Sequence, residues 1–295
     1  MKKINEDNRG LFEIADRISE ISRDLLEEFN AKKNKLFDLP THKRIFLFFF
    51  TKSLKTHAAV YKLCRQGFGQ DVANLLRGLL DNLISIEYIL HDSDLADKKT
   101  VRFVEYKWVI FRRYLGAKKG KVAGDPLTEK EQLILKKCED YKEKYEITSD
   151  RGLLTWSGMS VKDMAKRVST ELLEEYESTF RFCSRFLHPG IVGDDEYLNY
   201  KGDKMIFSPI PSHVGVGQAL VRDIEYIMEF IELFNDLFDL GRGEEIKQIN
   251  KRLLKTEDFQ KTGNDPAIER AVAAPGKGFS DKIVLQFDLD REEIS

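Results

Sequence analysis

Proline limits this chain more than any other residue. It occurs at 40, 126, 189, 209, 211, 266 and 275. Each of these positions ends or interrupts a helix, because proline lacks an N–H and its ring clashes with the preceding turn. The stretches 41–125, 127–188 and 212–265 contain no proline, and apolar residues recur through most of their length at the helical period. The chain is therefore expected to be all-α: a multi-helix bundle with helical hairpins and a partly flexible C-terminal extension. Leu11, Ile14, Ile18, Ile21, Leu25 and Phe29 predict an amphipathic helix over 8–37. Thr41, following Pro40, is a candidate N-cap. Helices over 42–66 and 71–91, separated by Gly67 and Gly69, form a hairpin. Further helices are expected over 95–116, 127–146, 160–187 and 216–240. Residues 191–215 read as a loop with room for a short hairpin. After Gly241 come a charged helix over 244–260, a linker over 261–281 and the strand-like run Ile283–Phe287. Three parts follow: an N-terminal helix over 1–39, a main helical domain over 40–241, and a charged helix, linker and tail over 242–295.

Composition narrows the function. Forty-eight Lys and Arg stand against 50 Asp and Glu, a net charge of −2, so no global field favours nucleic acid or a membrane surface. Three cysteines without a Cys-x-x-Cys pair argue against a disulfide scaffold and a thiolate zinc site. The first residues are charged and carry no apolar signal core. The apolar run Ile45–Phe50 is six residues long, far short of the roughly twenty a membrane helix needs. A cytoplasmic location with no membrane contact is expected. No cofactor or metal is expected either. Gly67-x-Gly69 lacks a third glycine and a preceding strand, and Pro275-Gly276-Lys277-Gly278 lacks the Ser/Thr and spacing of a phosphate loop. No Glu-x-x-His or His-x-x-x-His occurs, and His42, His57, His91 and His213 are scattered without a visible partner.

The segment Phe180–Pro189 carries the most chemistry. At about 100° per residue, with Arg181 at zero, Arg185 falls at about 40°, His188 at about 340° and Ser184 at about 300°. Phe180, Phe182, Cys183, Phe186 and Leu187 occupy the opposite arc. One face thus gathers Arg181, Ser184, Arg185 and His188. Such a face can bind an anion. It can also cleave a phosphodiester without a metal, His188 moving a proton while Arg181 or Arg185 stabilises a phosphorane-like transition state and Ser184 hydrogen-bonds the imidazole or the substrate. The alternative is a solvated helix face whose His188 caps the last carbonyls.

Two other groups stand out. Arg77 and Asp81 lie one turn apart within the apolar run Leu75–Leu90, as an ion pair fixing helix register or as the lining of a polar pocket. Residues 98–121 hold nine Lys and Arg against one acid, Glu105. There Lys107, Arg112 and Arg113 alternate with Tyr106, Trp108, Phe111 and Tyr114, a composition suited to single-stranded RNA or to an ordinary solvated helix. Glu225, Glu229, Glu232 and Asp236 form an acidic stripe on the last long helix.

The run Ala73–Asp81 through Glu87–Leu90, the motif Trp156-Ser157-Gly158-Met159-Ser160, and Tyr176, Ser184, His188 and Pro189 resemble the domain-of-unknown-function 5677 family over roughly 45–190. Asp81 stands where that family is expected to have Glu. The spacing of Arg181 and His188, with six residues between them near a helix end, more distantly resembles the HEPN superfamily of small helical domains, many of them toxin or antiviral ribonucleases. Phe182 stands where those proteins carry Asn, Asp or His. This resemblance implies a metal-independent endoribonuclease of defence or toxin type, acting on RNA as a homodimer that faces two motifs into one cleft. Two other functions stay open. One is a non-enzymatic module whose tail adds as a strand to a protein partner. The other is a nucleotide or anion sensor using Arg77, Arg181 and His188.

Overall fold

A computed structural model describes residues 2–31, 38–119, 127–148, 154–187, 198–201, 204–207, 211, 215–256 and 286–287. The chain is an all-α protein. Its helices are α1 (Lys2–Asp7), α2 (Arg9–Ala31), α3 (Thr41–Arg65), α4 (Ala73–Leu90), α5 (Ala96–Glu105), α6 (Lys107–Lys119), α7 (Glu129–Lys144), α8 (Val161–Val168), α9 (Thr170–Leu187), α10 (Val216–Phe238) and α11 (Gly243–Leu253). Among the described residues three short strands accompany them: β1 (Leu198–Lys201), β2 (Lys204–Phe207) and β3 (Gln286–Phe287). β1 and β2 pair antiparallel, Leu198 opposite Phe207, and β3 joins β2 in parallel, Gln286 opposite Ile206. The expected flexible extension falls mainly on residues 257–285 and 288–295, outside the described residues. No helix among the described residues is long and apolar enough to cross a membrane.

Three local expectations are corrected. The helix expected over 95–116 is divided at Tyr106, where the Val109 N–H bonds the Tyr106 carbonyl three residues back and tightens the turn. The helix expected over 160–187 is divided at Ser169, whose backbone is extended (φ −160°, ψ 165°). Its hydroxyl accepts from the Leu172 N–H at 3.0 Å and so starts α9 afresh. Thr41 is not the N-cap of α3. The Pro40 carbonyl accepts from Lys43 and Arg44, and Thr41 is the first helical residue. Ser169→Ala is expected to cost about 1 kcal/mol of unfolding free energy, measurable by urea titration; an unchanged midpoint and slope would count against the cap.

By contact the chain divides into two compact units. The first comprises Met1–Asn34, Phe50–Leu83 and Glu177–Ser295. In it α2 packs on α10, with Leu11, Ile14, Ile18, Ile21 and Leu25 fully buried. Phe29 meets Phe234 and Phe238 edge-on, and Phe50 of α3 stacks on Phe234 at 4.6 Å between ring centres. α11 packs on both α2 and α10. Arg242, just before α11, donates to Glu28 at 3.3 Å, and Arg17 bonds Glu245. Gly69 touches the start of α10 so closely that a Cβ there would lie 2.5 Å from the Val216 nitrogen.

The second unit comprises Lys35–Phe49 and Ile84–Tyr176. Here α6 packs on α7 around Val109, Cys138 and Tyr141. A capping box of Thr128 and Glu131 opens α7, and Ser160 caps α8 by accepting from the Asp163 N–H. Trp156 is buried between the edges of Tyr88 and Phe103.

Candidate functional site

The first unit sets basic side chains along both flanks of α9. Cys183 is buried against α4, its thiol donating to the Ala73 carbonyl at 3.2 Å. One turn along α4, the Arg77 guanidinium lies 4.7 Å from the centre of the Phe180 ring. From the other flank Arg222 of α10 donates to Ser178 Oγ at 2.9 Å and Thr179 Oγ1 at 2.8 Å, and lies 5.3 Å from the Phe182 ring centre. Thr179 is buried and bonds the Tyr226 hydroxyl, which fixes this flank to the core. Arg181 is exposed between the flanks, its Nε donating to the Glu177 carbonyl at 3.1 Å. The polar arc of α9 is thus bracketed by Arg77 and Arg222, with Arg181 at its centre. Burial pushes the Cys183 thiol up to about 11, against the pull of Arg222 and Arg77. Both cations therefore act on this same turn of helix, and Cys183 is a protonated, buried thiol rather than a nucleophile.

Ser184 lies on α9, half-buried, and its Oγ is shut off from solvent with no hydrogen-bond partner among the described residues. The Arg185 side chain and the whole of His188 lie outside the described residues. Asp81 is half-buried, as is Arg77, and no salt bridge joins the two among the described residues. Burial pushes the Asp81 carboxyl above the usual range, while the charges of Arg77 and Lys52 oppose it. Lys52 in turn donates to Asn82 Oδ1 at 2.9 Å. Arg77 thus comes beside α9, which spacing along the chain could not reveal.

The basic stretch sits on α5 and α6 in the second unit. Lys107 is exposed, 5.0 Å from the Trp108 ring centre. Arg112 lies 3.7 Å from Glu139 Oε1 of α7, and Arg113 donates to the Tyr106 hydroxyl at 3.0 Å. Two of the three expected contacts to nucleic acid are therefore engaged within the unit, while Phe111 and Tyr114 remain exposed. The Trp156–Ser160 motif is a structural turn. Ser157 Oγ and Thr155 Oγ1 both donate to the Met159 carbonyl, the Tyr141 hydroxyl donates to that of Trp156, and Gly158 takes a positive φ of 77° beside Arg102.

Two histidines read as solitary have partners. His42 places its ring nitrogen and its backbone N–H each 2.9 Å from Asp97 Oδ1. His57 Nδ1 lies 2.6 Å from Asp223 Oδ2, the two side chains 3% and 0% exposed. Burial alone would lower the His57 pKa. The Asp223 charge and hydrogen bond, with a further bond to the Ala15 carbonyl, outweigh it and raise the pKa. Burial pushes the Asp223 carboxyl up as well, and His57 opposes this. A signal for the pair was present. Ser53 and His57 are the polar members of the buried stripe Phe50, Ser53, His57, Val60, Cys64, and Asp223 interrupts the stripe Val216, Ala219, Leu220, Asp223, Ile227. Arg222 escaped notice because only its contacts with α9, distant in sequence, mark it as part of this surface. No group of three or more His, Cys, Asp and Glu residues could hold a metal among the described residues.

These features define an all-α protein with basic side chains on both flanks of one helix. The chain belongs to a family of unknown function (DUF5677), whose model matches residues 42–205. The matched span runs from α3 into β2 and includes Arg77, Asp81, Arg181, Ser184 and His188, but not Arg222 or Asp223. Neither a curated protein nor a solved structure matches the chain.

Proposed function

We propose that this protein is an RNA-directed, HEPN-like ribonuclease that cleaves phosphodiester bonds at the α9 surface without a metal ion. The observation that carries the reading is the bracketing of the polar arc of α9 by Arg77 and Arg222, with Arg181 between them. Guanidiniums on one helical face suit an anionic backbone, because the arginine fork matches phosphate oxygens; Arg222, whose fork is held by Ser178 and Thr179, contributes charge. In this reading Arg181 and Arg185 stabilise the charge that develops on phosphorus, and His188 transfers the proton. Ser184 Oγ is closed to solvent, so its role in this reading is to orient the imidazole rather than to touch substrate. The resemblance to HEPN domains makes a homodimer the active form, with specific activity rising with protein concentration.

The test is cleavage of a defined single-stranded RNA in EDTA by wild type, Arg181→Ala and His188→Ala. Wild type is expected to cleave, and loss of the proton-transfer group is expected to slow the reaction by about 10²–10⁴-fold. Equal cleavage by wild type and His188→Ala would remove the catalytic assignment. No cleavage by any of the three would turn the reading to a protein-interaction module, in which Gln286–Phe287 leaves β2 to pair with a partner's sheet edge.

A further inference from the structure

The second unit contains a concave pocket of about 520 Å³ among the end of α4, the turn Asp92–Leu95, α5 and the last turn of α8. Its chemistry owes nothing to α9. Lys99 and Arg167 both line it, with His91 and Ser93 adding polar groups and Asp92 the single carboxylate. Lys99 is held in place: its Nζ donates to the Tyr88 carbonyl at 2.8 Å and stands 4.5 Å from the centre of the Tyr88 ring. One of its three N–H donors is so used, and two remain. Arg167 is exposed and makes no hydrogen bond or salt bridge among the described residues, and Lys99 makes no salt bridge there. Burial pushes the Lys99 pKa down, the Arg167 charge adds to this, and Asp92 only partly opposes it. Two cations therefore converge on one concavity without matching negative charge, an arrangement that an oxyanion would relieve.

The size of the pocket narrows the ligand. At about 520 Å³ it is well beyond a bare phosphate and falls in the range of pockets that hold small organic ligands. We propose that this pocket binds a small organic phosphate, of nucleoside monophosphate or sugar phosphate size, with its phosphoryl group between Arg167 and Lys99. The Arg167 fork bonds two phosphoryl oxygens, Lys99 supplies a point charge to the third, and the organic body fills the space towards His91 and Ser93.

The full-length chain would be titrated with AMP, glucose 6-phosphate and inorganic phosphate, followed by thermal shift and calorimetry, in wild type and Arg167→Ala. At least one organic phosphate is expected to raise Tm and to bind about tenfold or more tightly than inorganic phosphate. Which of the two does so assigns the organic body as nucleoside or sugar. Arg167→Ala is expected to keep the Tm of the free protein, since the side chain has no protein partner among the described residues, and to bind about tenfold or more weakly. The proposal is overturned if neither organic phosphate binds wild type. It is equally overturned if inorganic phosphate binds as tightly as both, or if Arg167→Ala binds them as tightly as wild type does.

Discussion

His57→Ala is expected to lower the unfolding free energy by about 4 kcal/mol at neutral pH, with a midpoint shift to match in urea. The Asp223 carboxylate is fully buried and bonded to His57 at 2.6 Å. Without the imidazole it is an unpaired buried charge, which is strongly destabilising. It can escape only by taking up a proton. At pH 7 that costs a carboxyl of ordinary pKa near 3.9 about 4 kcal/mol, which sets the scale of the loss. Asp223→Ala should cost less, because the stranded imidazole sheds its proton near neutrality at almost no cost. Replacing both, as His57→Leu with Asp223→Leu, should recover most of the loss, since apolar residues often substitute for a buried ion pair without penalty.

The same pair predicts a pH dependence. His57 has a folded pKa raised above its unfolded value near 6.5. The folded state therefore keeps a proton that the unfolded chain releases. The contribution is complete below about pH 6.5 and is lost as pH rises through the folded pKa, with a limiting slope of about 1.4 kcal/mol per pH unit. Whichever partner carries that proton, removing it leaves a net buried negative charge. Urea titrations from pH 6 to 9 should show the decline in wild type and its absence in the double leucine variant. A His57→Ala cost below about 1 kcal/mol, or equal slopes in the two proteins, would show that the fold does not hold this proton between the pair.

Gly69→Ala should rival this effect, whereas Gly78→Ala should be harmless or better. A Cβ on Gly69 would lie 2.5 Å from the Val216 nitrogen, 2.7 Å from the Gly215 carbonyl carbon and 2.8 Å from the Val216 Cα, all backbone atoms. Backbone cannot swing aside as a side chain can, so the turn after α3 and the start of α10 must separate. Overpacking ordinarily costs about 1–3 kcal/mol, occasionally more, and this contact belongs at the upper end. Gly78 lies inside α4, exposed, with nothing within 4 Å of its added Cβ. There alanine should gain about 0.5–1 kcal/mol through backbone entropy and helix propensity. Thermal unfolding of the two variants side by side checks the contrast, and similar shifts in both would deny the close approach at Gly69.

The helices were largely legible because proline, glycine and the 3.6-residue period are local signals. Gly67 and Gly69 mark the stop after α3 in the sequence itself, yet the reason Gly69 must be glycine is Val216, far along the chain. The break at Ser169 escapes the sequence pattern for the opposite reason. A single extended residue barely disturbs the apolar period, so two helices read as one. At the candidate site the polar arc of α9 was visible from angular spacing alone. The flanking arginines were not, because Arg77 reads as the partner of Asp81 within its own helix and Arg222 as one charge among many on α10. His57 and Asp223 each break an apolar stripe, a local oddity whose explanation lies 166 residues away.

The packing of α2 on α10 has a consequence for synthesis. The apolar face of α2, with Leu11, Ile14, Ile18, Ile21 and Leu25 buried in the finished protein, leaves the ribosome well before the helix that covers it. Its cover, α10, begins only at Val216. At about 5–20 residues per second that face waits on the order of 10–40 s, and the buried imidazole of α3 waits as long for its carboxylate. The first unit therefore cannot close vectorially from its beginning. It must hold an unfinished hydrophobic surface until α10 has been made, which makes the nascent form, rather than the folded one, the stage at which this protein most needs a chaperone.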